Sequence, residues 1–309
     1  MRRSGSVPGV TFGVGAYASW GLFPAFFGLL AFAPATEVLA QRILWTLVVV
    51  LIVLAVTRRL PDMARISRKT WGYAAVASAA IAVNWGVYVY GVTSGQVVQC
   101  ALGYFINPLV TVAFGVVIFR ERLAKAQWAA LGLGAAAVLV LTVDYGSPPY
   151  IALILACSFA TYGLVKKVIP LDALRSIAAE GVVAAPAALA FAIWLAASGT
   201  ATFGEGAAHT ALMIATGPVT LVPLLLFAVA AHRVPLSTMG ILQYLTPAMQ
   251  LFWGVAIAHE PMPASRWIGF ALIWAALVVF TAHALLARRA RTRVDGSARD
   301  SEPSPQLQS

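Results

Sequence analysis

Polar side chains set inside long apolar runs are the groups in this chain best placed to do chemistry. Such groups are costly in hydrocarbon, so they face a bundle interior or a water-filled cavity. In residues 72–91, Asn84, Tyr88 and Gly91 fall on one helical face, with Trp85 beside them. In 97–118, Tyr104, Asn107 and Thr111 do the same, and Asn107 stands directly before Pro108. Gln243, Pro247 and Gln250 form the matching stripe in 236–258, flanked by Tyr244. A proline frees a backbone carbonyl one turn back, so Pro108 and Pro247 are expected to be helix breaks. Two such helices with amide faces suit either a mid-membrane substrate site or plain interhelical hydrogen bonding. Gly13, Tyr17, Gly21, Pro24 and Gly28 make one more stripe, with Trp20 alongside. It reads as a packing seam or as a cavity wall.

Charged groups are fewer. Ser158, Tyr162 and Lys166 align on one face that ends in Lys166-Lys167. That lysine pair is expected to snorkel toward the cytoplasm. Glu37 and Arg42 recur in the second half as Arg175 and Glu180, at one common spacing and with the signs exchanged. Arg42 and Glu180 are read as gate charges or as helix anchors. The two pairs are expected near opposite membrane faces, where they would not bridge each other. Glu121 and Glu260 each follow an apolar run, so capping a turn or pairing with arginine is expected of them before proton coupling.

Several chemistries find no support. The four histidines, at 209, 232, 259 and 283, have no metal-ligand spacing, and Cys100 and Cys157 make no CxxC. There is no HExxH, no GxSxG and no Gly-Lys pair, hence no phosphate loop for ATP hydrolysis. Neither an enzyme activity nor a cofactor is expected.

The elements that must hold these residues are membrane spans. Of 309 residues 61% are hydrophobic and only 10% charged, against about 25% charged in soluble domains. Mean hydropathy is +0.85. Ten apolar runs are long enough to cross a bilayer, at about 10–30, 36–57, 72–91, 97–118, 127–143, 149–166, 175–198, 210–231, 236–258 and 264–287. They are continuously apolar, without the alternation of barrel strands, so helices are expected. Arg2-Arg3 and Ala31-Phe32-Ala33 mimic a signal peptide, but the first run is too long and too polar-aromatic, and an uncleaved helix is expected.

With the N-terminus cytoplasmic, nineteen of the twenty-one Lys and Arg fall on the inside; Arg266 lies outside and Arg42 within the second span. The positive-inside bias therefore puts both termini in the cytoplasm of the cell membrane and explains the net charge of +10 without nucleic acid. Pro108 and Pro247, Gly115 and Gly254, Glu121 and Glu260, and Trp128 and Trp267 are four landmark pairs with an identical separation. A constant offset, with no insertion between landmarks, is an internal duplication. The expected layout is a cytoplasmic N-terminus (1–9), a first five-helix repeat (10–143), a second (149–287) and a disordered basic tail (288–309). The tail's basic start could lie on anionic membrane lipid. Five is odd, so the repeats run in opposite directions: an all-α membrane protein built as an inverted repeat, the plan of many secondary transporters.

The GYFINP of 103–108 ahead of RERL at 120–123, echoed by QYLTP (243–247) ahead of HEPM (259–262), resembles the EamA family of the drug/metabolite transporter superfamily, and within it the RarD-type permeases. Tyr17-Ala18-Ser19-Trp20-Gly21, Gln41-Arg42, Asn84-Trp85, Ser158-Phe159, Tyr162 to Lys167 and Pro223-Leu224 extend the likeness over residues 10 to 287. The resemblance implies a proton- or gradient-dependent permease or exporter of small metabolites or drugs. At Gln99 the chain has an amide where the resemblance implies an acid, so no protonation role is expected there. Few intramembrane charges and many aromatics suggest a neutral, zwitterionic or amphipathic small molecule, moved by alternating access. A channel or lipid flippase on the same fold is the alternative, and a membrane-embedded enzyme a more distant one.

Overall fold

Glycine and proline decide where the apolar runs bend and where they stop. The computed structural model describes residues 7–120, 123–234 and 236–300, and among these every regular element is helical. The first span is α1 (Val7–Gly21) and α2 (Phe23–Gly28), bent at Leu22 with Pro24 in the first turn of α2. Then come α3 (Ala35–Val56), a short 3-10 turn (Leu60–Arg65), α4 (Arg68–Thr93), α5 (Val97–Phe119) and α6 (Lys125–Tyr145). The second half has α7 (Tyr150–Val168), α8 (Ala173–Ser198), α9 (Ala207–Arg233), α10 (Leu236–Leu242), α11 (Leu245–Phe252), a π turn (Trp253–Ile257) and α12 (Ala264–Asp300). Gly146 ends α6 and Gly199 ends α8, each in the left-handed conformation that glycine adopts without strain.

Nine helices among the described residues are long and apolar enough to cross a membrane, and Leu245–Ile257 is a shorter apolar segment. The chain is thus an all-α, multi-pass membrane protein, with the tenth crossing built from pieces. The break there follows from Pro247. Lacking an N–H, it cannot bond the carbonyl of Gln243, and the helix parts at Gln243-Tyr244 before restarting.

Two sequence expectations are corrected here. Pro108 is not a break, because α5 runs uninterrupted from Val97 to Phe119 across it. Pro108 leaves only the Tyr104 carbonyl, four residues back, without its backbone bond, and one such missing bond is tolerated in a membrane helix. The basic segment from 288 is helical to Asp300 as a continuation of α12. Ala and Arg are strong helix formers, and extending a formed helix needs no new nucleus. Residues 301–309, with Arg2, Arg3, Glu121 and Arg122, lie outside the described residues.

The chain divides into two compact units: residues 1–111 with 149–262, and residues 112–148 with 263–309. Within the first unit α3 packs on α8 and α9, α1 on α9 and α11, and α4 on α7. These pairings follow the duplication: exchanging the halves turns α4 on α7 into α9 on α1 and maps α3 on α8 onto itself. Small residues allow the close approaches. A Cβ on Gly103 would sit 2.8 Å from the Ala152 carbonyl oxygen, and one on Gly13 would sit 2.8 Å from Leu242 Cδ1. The repeat offset carries Gly103 onto Leu242 and Gly13 onto Ala152, so these are one contact with its partners exchanged.

The second unit is an α6–α12 pair. Gly269 packs against Leu141 there. At its end Asp144 accepts from the Ser265 hydroxyl and, at 2.7 Å, from Arg266, whose guanidinium lies 4.2 Å from the Tyr145 ring. The one basic residue the sequence puts in an outside loop is therefore ion-paired.

Candidate functional site

A cavity of about 440 Å³ lies inside the first unit, with walls from both halves of the chain. Its character comes from how each lining residue is held.

Arg42 stands seven residues into α3 and is 3% exposed. Its guanidinium carbon sits 4.1 Å from the Trp85 ring, 4.8 Å from Phe27 and 5.5 Å from Phe23. Ring faces attract a cation, and more strongly when it is desolvated. Its Nε donates to Thr220 Oγ1 at 3.0 Å, while Nη1 is buried and has no partner.

On the other side α7 and α8 bring a polar cluster together. Lys166 pairs with Glu180 at 2.7 Å and also donates to Ser176. Glu180 further accepts from the Ser176 hydroxyl at 2.8 Å and from the Tyr162 hydroxyl at 3.1 Å. The Ser78 hydroxyl bonds its backbone carbonyl at 2.8 Å. The expected snorkelling of Lys166 is thus overturned: α8 brings Glu180 within 2.7 Å of the ammonium, which pairs with it. Lys167 is exposed.

The amides behave as interhelical ties. Asn84 donates to the Leu155 carbonyl and to Ser158 Oγ, both at 3.1 Å, and accepts from Tyr104 at 3.3 Å. Asn107 donates to the Ala156 carbonyl at 3.1 Å, and Gln250 to the Trp20 carbonyl at 3.2 Å. The two readings of the amide stripes hold together, since Asn84, Asn107, Gln243 and Gln250 also line the cavity. So do Tyr17, Trp20, Trp85, Tyr88, Tyr104, Tyr162, Pro108 and Pro247. In the first span the work is divided: Gly13 and Gly21 meet Leu242 and Met249, while Tyr17 and Trp20 face the cavity. Ser158 and Tyr244 are not in its wall; Ser158 supports Asn84 from behind.

Arg42 and Glu180 do not bridge each other, yet both line this cavity, so the expectation of opposite membrane faces is corrected. Each lies seven residues into its helix, a rise of about 10 Å. In a core about 30 Å thick, charges set that deep from opposite sides reach one central space.

Other charges are structural. Glu37 accepts from the Thr202 and Phe203 amides at 2.9 Å, and Glu260 from the Val97 and Val98 amides at 2.5 and 2.9 Å. Glu260 is therefore a cap, on the first turn of α5. Asp172 caps α8 and pairs with Arg175 and Arg59 at 2.5 and 2.8 Å. Burial pushes its carboxyl upward, but the hydrogen bonds from Arg175 and the two guanidinium charges outweigh that and hold it below its ordinary value. Thr46, Thr220 and Phe227 line the cavity without having been singled out in the sequence. Thr46 alone left a trace, one helical turn from Arg42 on the same face.

The profile of the EamA-like transporter family matches residues 7–143 and again 148–282. The chain belongs to that family. The double match coincides with the two halves read from the constant offset between landmarks. Among its relatives, protein RarD of Streptomyces exfoliatus is 50% identical over 94% of this chain and 93% of its own. The uncharacterized transporter YojE of Bacillus subtilis is 38% identical over 91% and 96%. The chloramphenicol-sensitive protein RarD of Pseudomonas aeruginosa is 25% identical over 94% and 99%. A solved crystal structure, 17% identical, superposes with a TM-score of 0.59 over 91% of this chain and 98% of the other, and so shares the fold. As an EamA-like protein of this kind the chain is a membrane transporter.

Proposed function

We propose that this EamA-like protein is a secondary transporter that carries a small amphipathic metabolite or drug through the cavity by alternating access. The observation that carries the reading is the cavity wall itself. Aromatic faces dominate it, and a few convergent polar groups, Asn84, Asn107, Gln243 and Gln250, come from both halves. Concave, mostly apolar sites with few placed polar groups are the usual form of a small-molecule site. Its volume suits a metabolite and is too small for a folded partner. Inverted halves give the alternation a physical basis, because each can adopt the other's packing.

The Lys166–Glu180 ion pair in the cavity wall is where proton coupling would act. The protein is placed in the cell membrane with both termini cytoplasmic on the strength of the lysine and arginine distribution. Reporter fusions at each end test that orientation.

The direct test is a thermal-shift screen of neutral, zwitterionic and amphipathic molecules on purified protein. Chloramphenicol belongs in it because of the relative whose name carries it. Hits then go to counterflow in proteoliposomes. Saturable counterflow supports a carrier; linear, unsaturable flux would instead support a channel on the same fold.

A further inference from the structure

We infer that one anionic group of the transported molecule, a carboxylate or its chemical equivalent, docks on the Arg42 guanidinium. The inference rests on the transporter reading and adds the charge of the ligand and the place where that charge sits.

A cation as deeply buried as Arg42 normally has an anionic partner, because an unpaired buried charge is costly. Here the nearby carboxylates are committed elsewhere. Glu180 holds Lys166, Asp172 holds Arg59 and Arg175, and Glu37 holds the amides of Thr202 and Phe203. The aromatic faces over Arg42 attract it but carry no charge. With Lys166 and Glu180 cancelling, the cavity wall keeps one uncompensated positive charge.

The unpartnered atoms point the same way. Among the described residues, Arg42 Nη1, Thr46 Oγ1, Tyr88 OH and Gln250 Oε1 are buried without a hydrogen-bond partner, and all four residues line the cavity. Three of these atoms are donors, the set that a carboxylate's oxygens require. Arginine's planar fork matches a carboxylate with two parallel hydrogen bonds. The aromatic wall, with Trp20 and Trp85, takes the apolar body of the same ligand. The ligand class is therefore an amphipathic monoanion, or a zwitterion whose carboxylate takes Arg42.

The test compares 3-phenylpropionate, its uncharged amide 3-phenylpropionamide and the cation 3-phenylpropylamine on full-length protein in nanodiscs, by calorimetry in a chloride-free Tris sulfate buffer, which contains no carboxylate. A separate arm adds chloride alone. The carboxylate is expected to bind at least about tenfold tighter than the amide, the value of one charge-assisted hydrogen bond. Arg42→Gln is expected to erase that ratio, and Arg42→Lys to keep part of it. Equal binding of carboxylate and amide by the wild-type protein overturns the inference even if Arg42→Gln does not fold. So does chloride, if it alone blocks the carboxylate, since Arg42 would then hold an inorganic counter-ion. Equal binding with saturable counterflow of the amide sinks the anion site and leaves the transporter. Tight, Arg42-dependent carboxylate binding without flux of any probe supports the site and sinks the transporter reading.

Discussion

Asn107 and Thr246 make the same hydrogen bond in the two halves of the protein. The Asn107 amide donates to the Ala156 carbonyl at 3.1 Å, and the Thr246 hydroxyl donates to the Tyr17 carbonyl at 2.8 Å. The two donors are separated in sequence by the same offset as Pro108 and Pro247, and so are the two acceptors. Each bond ties the helix that carries Pro108 or Pro247 to the first helix of the opposite half. Interhelical bonds of this sort in membranes are worth about 0.6 kcal/mol on average and up to about 1.7. Asn107→Ala and Thr246→Val should each destabilise by an amount in that range, measured by unfolding in bicelles. A loss at one site only would show that the two ties are not equivalent.

Gly217 lies against the backbone of Trp45, where a Cβ would stand 2.6 Å from the carbonyl oxygen. Backbone cannot swing aside as a long side chain can, so Gly217→Ala should push α9 from α3 and cost about 1–3 kcal/mol. Gly163 has nothing within 4 Å of its Cβ position. Gly163→Ala should be neutral or stabilising by up to about 1 kcal/mol, through the entropy of the unfolded helix. Thermal midpoints moving in the same direction for both would contradict the packing described.

The Lys166–Glu180 pair is partly shielded, with side chains 27% and 7% exposed. Breaking a buried pair costs about 3–5 kcal/mol because it leaves one charge uncompensated, and the partial exposure of Lys166 puts the expected loss at the low end. Lys166→Met and Glu180→Gln should each lower stability, and the double variant should recover much of it. Two losses that simply add would show that the charges do not interact.

Asp172 links stability to pH. Its carboxyl titrates lower in the folded protein than in the unfolded chain. Its contribution is therefore present above the ordinary carboxylate range and is lost as pH falls through the lowered folded value. Asp172→Asn should remove that contribution at neutral pH and make acid unfolding less steep. An unchanged acid-unfolding profile would contradict the pairing with Arg59 and Arg175.

The spans, the duplication and about half of the cavity wall were legible in the sequence because hydropathy and helical periodicity are local properties. Asn84, Tyr88, Tyr104 and Asn107 could be assigned to faces by counting along one helix. What counting along one helix misses is reach between helices. Nothing in Lys166-Lys167 reveals that the next helix returns Glu180 to within 2.7 Å of the first lysine. Nor does the charge-swapped pair of Arg42 and Glu180 show its depth until both helices are measured from their ends. The two prolines illustrate the same limit. Pro108 and Pro247 look equivalent, yet α5 continues across one and the helix parts before the other.

The most direct test of the central claim is counterflow in proteoliposomes of the strongest hit from the thermal-shift screen, run with wild-type protein and with Ala82→Trp. Ala82 lines the cavity and is only partly buried, so the indole should fill the space without disrupting the fold. The account predicts a transient, saturable overshoot for the wild-type protein and none for the filled variant at matched thermal stability. Flux that is linear in substrate, or that survives the filled cavity unchanged, would contradict it.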